Sequence, residues 1–304
     1  MIALGIDAGA SSTRWLLLDE GESELGRGRT RPITGHVFTT DERQENLARL
    51  RQLLDEALAL ARPDGVVAGI TGLHAGTEAA EVLRRCVLET IGAPAPRVLV
   101  TNDMDVAYAA AFAPGEGVLL YAGTGSVAYH VADDGSVVRA GGYGYLIDDA
   151  GAGYWIGHEG LKQVMRRADE AGQPASLPLD RAVYAALGSE RWEELVAIVY
   201  GGGRSTVAAL APAVARAADD GDEAALRILD EAGRELARLA HVVQRRAGGM
   251  LPVAFAGGIA SMHPRLGEAL RGALPAGTEL RLVTVEPVHA AARLALARGR
   301  ADPA

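Results

Sequence analysis

The chain has 304 residues, 49% of them apolar, with a formal charge of −9 and a single cysteine, Cys86. That length suits two domains better than one core, and the acidic balance is not the footprint of a nucleic-acid binder, which needs clustered Lys and Arg. One cysteine allows neither an intrachain disulfide nor a Cys-cluster metal site; no apolar run reaches the ~20 residues of a membrane span, and Met1-Ile-Ala-Leu-Gly5 lacks the basic segment of a signal peptide, so the expectation is a cytoplasmic protein with no membrane partner.

Ala3 to Ile6 read as a short buried strand ending on Asp7, followed by the turn Ala8-Gly-Ala-Ser-Ser-Thr13 and a second strand, Trp15–Leu18. Asp7 thus sits at a strand's carboxyl end beside a glycine turn with three hydroxyl residues. A lone aspartate there is usually a turn former, but a carboxylate beside bound phosphates is also the usual holder of Mg²⁺. Residues 27–38 read as strand and loop. Leu47, Leu50, Leu54 and Leu58 recur at helical spacing behind Thr40 as N-cap, with Pro63 past the end. Val66–Ile70 is the next strand, followed by the loop that carries His74, read as a loop residue, and a helix to about Ile91. Arg97–Thr101 is again a strand; it delivers Asn102-Asp103 to its carboxyl end before an alanine-rich helix that begins near Val106. Asp103 is the foremost candidate for chemistry, because ligands gather at the carboxyl ends of strands in open α/β sheets and a helix N-terminus adds partial positive charge. A plain N-cap pair would look the same, and Asp105 competes for the role.

The second half opens on Gly117-Val-Leu-Leu-Tyr-Ala-Gly-Thr-Gly-Ser126, a buried strand that breaks into a turn. Gly123 and Gly125 let the backbone approach a ligand, and Thr124 and Ser126 add hydroxyls beside the exposed N–H groups, which suits a phosphate or a sugar hydroxyl. A shift of 114 residues lays Leu120–Ser126 on Ile6–Ser12 and Asp133-Asp134-Gly135 on Asp19-Glu20-Gly21, which suggests a duplicated domain. Gly141–Trp155 is a glycine-rich loop with adjacent carboxylates, Asp148 and Asp149, that could contact a polyol, hold metal-bound water or be merely solvated. Helices follow from Ala152 to Met165 and from Leu179 to Arg246. Pro252–Phe255 is a strand that turns at Ala256-Gly-Gly-Ile259 into a helix, Pro264–Leu274; Leu280–Val285 is the last strand and His289–Arg298 the last helix.

In this order, the aspartate–glycine hairpin, Asn-Asp, the Gly-Thr-Gly-Ser hairpin, Gly141-Gly-Tyr-Gly-Tyr-Leu-Ile-Asp-Asp-Ala-Gly-Ala-Gly-Tyr-Trp155 and Ala256-Gly-Gly-Ile-Ala260 resemble the acetate kinase, hexokinase and actin-like ATPases. More closely, the chain resembles the BadF/BadG/BcrA/BcrD ATPase group, which includes N-acetylglucosamine kinases, over nearly its whole length. The resemblance implies an α/β fold of two actin/RNase H-like domains, residues 1–113 and 114–304, flanking an ATP-binding cleft, with the helix 289–298 packed back on the first domain. It implies ATP and Mg²⁺ as cofactors, a small-molecule sugar as partner and a homodimer as an option. Asp7, Gly9, Ser11 and Ser12 match the first phosphate loop, Asp7 orienting Mg²⁺ through water. Gly123, Thr124, Gly125 and Ser126 match the second, and Gly257 and Gly258 the adenosine loop. Asp103 matches the base that takes the proton of the attacking sugar hydroxyl; Asp103, Thr124, Asp149 and His36 match sugar-facing positions. The expected activity is transfer of the γ-phosphate to a hydroxyl of an amino sugar, N-acetylglucosamine or glucosamine.

Departures from the pattern fall on the sugar side: Ala150 replaces a glutamate, Asp148 a glycine, Val127 an asparagine, and Gly35 the asparagine before His36. They keep open a diverged, non-catalytic sugar- and ATP-binding protein of the same fold. An ATPase activator with a bridging iron–sulfur cluster is disfavoured, since Cys86 alone cannot supply the thiolates. A sugar-sensing regulator would need an N-terminal helix-turn-helix, and the first strand is expected at residue 3.

Overall fold

The computed structural model describes residues 1–9, 12–35, 39–73 and 76–300, and the chain divides into two compact units, 1–111 with 285–304, and 112–284. Each unit is built on one five-stranded sheet.

Unit 1 begins with β1 (Ile2–Ala8), β2 (Thr13–Asp19) and β3 (Glu24–Thr30), an antiparallel meander, followed by α1 (Thr40–Leu58), β4 (Gly65–Ile70), α2 (Glu78–Ile91), β5 (Val98–Asn102) and α3 (Asp103–Ala109). The strand order is β3-β2-β1-β4-β5, with β4 and β5 parallel to β1. β1 and β4 are covered on both faces, which is why they read as continuous apolar runs rather than as alternation. Leu4, Ile6 and Leu17 face Leu50, Leu54 and Val87 of the helices on one side. α1 starts one residue earlier than its leucine spacing suggested: Thr39, not Thr40, is the N-cap, in a capping box with Glu42. α3 likewise starts at Asp103 rather than Val106, because the Asn102 side chain accepts from the Met104 N–H and opens the helix at once.

Unit 2 repeats the plan with β6 (Val118–Ala122), β7 (Ser126–Val131) and β8 (Val137–Gly141). Five helices then intervene: α4 (Gly153–Ala171), α5 (Pro178–Leu187), α6 (Trp192–Ala208, kinked at Gly203), α7 (Ala211–Asp219) and α8 (Glu223–Arg246). β9 (Val253–Ala256), α9 (Pro264–Ala273) and β10 (Leu280–Leu282) complete the unit. Read from the β8 edge the order is β8-β7-β6-β9-β10, with the same strand senses as in unit 1. Arg167 ties the helical layer together, bonding both oxygens of Asp222 at 3.1 Å and reaching the fully buried Asp180 at 3.4 Å.

α10 (Pro287–Arg300) belongs to unit 1. Its alanines lie on the second face of that sheet with Ala3, Leu16, Leu18 and Val67. The approach is backbone to backbone: a Cβ on Gly5 would come within 2.4 Å of the Ala292 nitrogen and the Val288 oxygen. Among the described residues no single helix is long and apolar enough to cross a membrane.

Candidate functional site

In unit 1 two carboxylates meet at the carboxyl ends of the central strands. Asp7, 7% exposed, lies opposite Arg14 of β2 and Gly69 of β4 in register. A Cβ on Gly69 would stand 2.7 Å from Val106 Cγ2 and 3.1 Å from the Cα of Asp103, so the missing side chain is what lets the first turn of α3 lie on the sheet beside Asp7. Asp103 accepts a hydrogen bond from the Thr71 hydroxyl. Burial pushes its carboxyl above the usual range, with the Thr71 bond opposing and the negative Asp7 adding to the rise. Asp7 is likewise raised by burial, against the pull of Arg14, whose Nη2 donates to Asp7 Oδ2 at 2.6 Å. Asp105, on the same first turn of α3, accepts from the Thr101 hydroxyl of β5.

The loops beside this pair are tied down by backbone bonds. Thr71 donates its N–H to the Ala8 carbonyl at 2.9 Å and accepts from the Gly35 N–H at 2.8 Å. The Asn102 side chain donates to the Leu73 carbonyl at 2.7 Å. Gly35 packs so tightly on Gly72 that a Cβ would fall 2.6 Å from its carbonyl, which accounts for the loss of the asparagine expected there. Gly9 closes the β1–β2 turn by donating to the Ser12 carbonyl at 3.0 Å. Ser11, His36 and His74, named from the sequence, lie outside the described residues.

In unit 2 the corresponding turn holds backbone rather than charge. Gly123 donates to the Gly125 carbonyl at 2.9 Å, and the Gly123 and Thr124 carbonyls accept from Gly153 and Tyr154 at the start of α4, at 2.8 and 3.2 Å. Ser126 points inward: it is 3% exposed, its hydroxyl donates to the Ala150 carbonyl at 2.9 Å and its N–H to Asp149 at 3.4 Å. Asp149, itself 7% exposed and with its carboxyl raised by burial, stands directly behind the turn, 2.7 Å from where a Gly125 Cβ would be. Asp148 is half-exposed but not free. It accepts the Ala150 N–H at 3.1 Å and pairs with Arg238 at 3.5 Å.

The glycines of the two turns and of the β9–α9 loop separate into two kinds. Gly125 and Gly257 are required by the fold: Gly257 has a positive φ of 99° and its Cβ would fall 2.2 Å from the Ala122 oxygen. Gly9, Gly123 and Gly258 have ordinary φ, and a Cβ would meet nothing closer than 3.6 Å at the first two and nothing within 4 Å at Gly258. Among the described residues no contact requires glycine at these three, which leaves their faces open to a ligand's approach.

The register corrects the repeat read from the sequence. Ala8 pairs with Thr13 across residues 9–12, whereas Ala122 pairs with Ser126 across residues 123–125. The unit 2 turn is one residue shorter, and Ser126 answers Thr13 rather than Ser12. Thr13 is fully buried and its hydroxyl accepts from the Ile33 N–H at 2.9 Å, so in both units this hydroxyl ties down the chain beyond the third strand. Arg14, Gly69 and Thr71 were not singled out from the sequence. Their signals were an arginine in an apolar strand, a glycine inside one and a Thr-Gly at its end.

Paired five-stranded units of this order, with carboxylates at the strand ends of the first, define the fold class of the actin-like ATPases and sugar kinases. The sequence pattern of the BadF/BadG/BcrA/BcrD ATPase family matches residues 4–276, and the chain belongs to that family. It is 34% identical over 142 residues to the N-acetylmuramic acid/N-acetylglucosamine kinase of Clostridium acetobutylicum, a match that spans 46% of each protein. It is 24% identical over 317 aligned positions to the N-acetyl-D-glucosamine kinase of Dictyostelium discoideum, covering 97% of this chain and 98% of that one. Among solved structures, a Chromobacterium violaceum protein described as an N-acetylglucosamine kinase superposes with a TM-score of 0.69 at 26% identity, covering 98% of this chain and 99% of that one.

Proposed function

We propose that the protein is an ATP-dependent kinase whose acceptor is a hydroxyl of a 2-acetamido or 2-amino sugar, and that Asp103 is its general base. The observation that carries this reading is the environment of Asp103: a buried carboxylate at the carboxyl end of β5, held by Thr71 and raised by burial and by Asp7. A raised carboxyl is a stronger base than an exposed one, and it stays deprotonated at neutral pH as long as the rise is moderate. Its family and the sugar kinases named above supply the reaction class.

In this reading the acceptor hydroxyl gives its proton to Asp103 as its oxygen attacks the γ-phosphorus, the bond to the β-phosphate oxygen breaks, and ADP leaves. Mg²⁺ supplies charge neutralisation on the phosphates when bound. Among the described residues there is no cluster of three or more acidic, His or Cys side chains that could hold a metal alone. The fit is therefore to an ion carried mainly by phosphates and water, with Asp7 as the protein carboxylate nearby. Arg14 already supplies one positive charge to Asp7 and is half-exposed, so it can remain as a phosphate partner when the ion binds. Gly9, Gly123 and Thr124 are assigned in this reading to phosphate oxygens, and Gly258, where a Cβ would meet nothing within 4 Å, to adenosine. Ser12 borders the first turn, while Gly125, Ser126, Asp149 and Gly257 hold the second turn and the adenosine loop in shape.

The test is a coupled ADP-release assay with Mg²⁺-ATP and a panel of sugars, run beside Asp103→Asn. Sugar-dependent ADP release that vanishes in the variant is the expected result. Sugar binding without turnover in the parent protein would favour the non-catalytic alternative.

A further inference from the structure

In unit 2 a break in α6 sets a cation on the side of the Gly123–Ser126 turn. The run Tyr200-Gly-Gly-Gly-Arg-Ser-Thr206 carries three glycines, and Gly203, at φ 60° and ψ −145°, leaves the helical conformation for one that only glycine adopts freely. The helix resumes after Gly203, so Arg204 and Ala208, four positions apart, share one face. That face is pressed on the start of α4. A Cβ on Gly157 would fall against the Val207 oxygen, and one on Gly153 would stand 3.0 Å from the Gly123 oxygen and 3.7 Å from the Ala208 oxygen. The glycine turn and the resumed helix thus converge on one point of α4.

Arg204 is half-buried, and among the described residues it makes no hydrogen bond or ion pair. Its guanidinium carbon lies 5.7 Å from the centre of the Tyr145 ring; Tyr145 stands 4.8 Å from Tyr154, whose N–H donates to the Thr124 carbonyl at 3.2 Å. The acids nearby do not hold the guanidinium. Asp148 pairs with Arg238, and Asp149, braced behind the turn on the Ser126 N–H, feels the charge of Arg204 without bonding to it. The turn has donors to spare as well. Among the described residues the N–H groups of Thr124 and Gly125 donate to nothing, and a Cβ on Gly123 would meet nothing closer than 3.6 Å. Two free backbone donors and one free guanidinium therefore border the same side of unit 2.

We infer that Arg204 is a phosphate-binding residue, which leaves the Tyr145 ring and donates to oxygens of an ATP phosphate chain seated on the Thr124 and Gly125 N–H groups. Contact with an exposed ring is a weak attraction, whereas a guanidinium fork on phosphate oxygens makes parallel charge-assisted bonds, so a polyanion on the turn takes the guanidinium from the tyrosine. Backbone N–H groups aim and hold an anion but carry only partial charge. Arg204 supplies the full positive charge that the turn itself lacks. The segment before it has room to adjust, since a Cβ on Gly201 or Gly203 would meet nothing within 4 Å. The inference rests on the assignment of this turn to ATP phosphates and deepens it by naming the side chain that holds them.

The test is calorimetric titration of the full chain with Mg²⁺-ATP, with melting curves recorded beside it. Arg204→Gln should weaken ATP binding by about 10–100-fold at an unchanged melting temperature, as expected for lost charge-assisted bonds. Arg204→Lys keeps the charge without the fork and should recover part of that loss. Tyr145→Leu removes only the ring, and it should leave ATP bound as tightly as in the parent or more tightly. Equal ATP affinity in the parent and Arg204→Gln overturns the inference. So does a loss that Arg204→Lys does not recover and that comes with a lowered melting temperature in both Arg204→Gln and Tyr145→Leu, the mark of a packing role. Titration needs no acceptor, so a protein that binds ATP and phosphorylates no sugar fails the kinase reading while the Arg204 comparison still decides this one. A parent that does not bind ATP overturns the inference together with the assignment of the turn.

Discussion

The two units carry the same sheet and put different chemistry at the same place on it. At the end of β1 stands Asp7, a buried carboxylate with an arginine across the strand pair; the matching end of β6 carries Tyr121, opposite Val127. At the end of β5 stands Asp103, and at the end of β10 the chain runs on through Leu282 and Val283 with no carboxylate. Unit 2 offers backbone: a turn one residue shorter, braced from behind by Asp149 and α4, and a glycine loop after β9. In the proposed reading a duplicated scaffold thus divides the work, with the charges meant to act on a proton and a cation in one copy and close-approach glycines in the other. The hydroxyl at the start of the second strand, Thr13 or Ser126, is common to both because the scaffold itself needs it.

The largest expected effect tests the assignment of charge to unit 1. Asp103→Asn keeps an acceptor for Thr71 and removes the base, so turnover should fall by roughly two to four orders of magnitude, measured as sugar-dependent ADP release. Asp105→Asn, whose carboxylate accepts from the Thr101 hydroxyl of β5, should leave turnover near that of the parent; the reverse pattern would exchange the two aspartates. Next comes the close-approach surface of unit 2. At Gly123 and Gly258 a Cβ meets nothing closer than 3.6 Å among the described residues, so for Gly123→Val and Gly258→Leu calorimetry should show ATP affinity lost by about tenfold or more while the melting temperature holds. Gly257→Val, forced against Ala122, should melt early instead; similar behaviour in all three would mean that none of these glycines was kept for a ligand.

Asp7→Asn sharpens the division further, since it should slow transfer and raise the Mg²⁺ concentration needed for half-maximal rate, with acceptor KM changed least. Smaller again, Thr13→Val and Ser126→Ala should each cost about 1–3 kcal/mol in urea unfolding, as a buried backbone group loses its partner. Similar costs in both would confirm that the hydroxyls are one scaffold element used twice. The smallest effect is one of stability against pH. Because burial raises the Asp103 carboxyl in the folded protein, its contribution to stability is present below the unfolded carboxylate pKa of about 3.9 and is lost as pH rises through the higher folded value. Asp103→Asn should therefore melt above the parent at neutral pH, with the gap closing on acidification. A gap that widened toward acid would mean that the folded environment stabilises the anion. The acid limb of the rate profile should lie above the ordinary carboxylate range for the same reason.

Much of the scaffold was legible because its signals are local. Val118–Leu120 and Val66–Ile70 are too apolar to face water, and Pro264 and Pro287 mark helix starts. Asp7 and Asp103 were found because both stand at the carboxyl ends of strands. What could not be read was set by contacts between distant residues. The meeting of Asp7 and Asp103 depends on Gly69, whose reason is the Val106 side chain 37 positions on. A fixed offset placed Ser126 opposite Ser12, and only the strand register shows that the second turn is shorter. Asp148 read as one of two equivalent acids until Arg238, ninety positions later, proved to be its partner.

Unit 1 is assembled from both ends of the polypeptide, and that bears on the order in which the protein is made. β1 to β5 are complete early in synthesis, yet Ala3, Leu16, Leu18 and Val67 stay uncovered until α10 has been translated. Residues 112–284 form one uninterrupted stretch and are free to fold as soon as they leave the ribosome. The half that carries the carboxylates therefore matures last, after a loop closure spanning nearly the whole chain. A ribosome that stalls after residue 284 leaves a finished second unit attached to an apolar sheet face, the kind of nascent product that chaperones and proteases act upon.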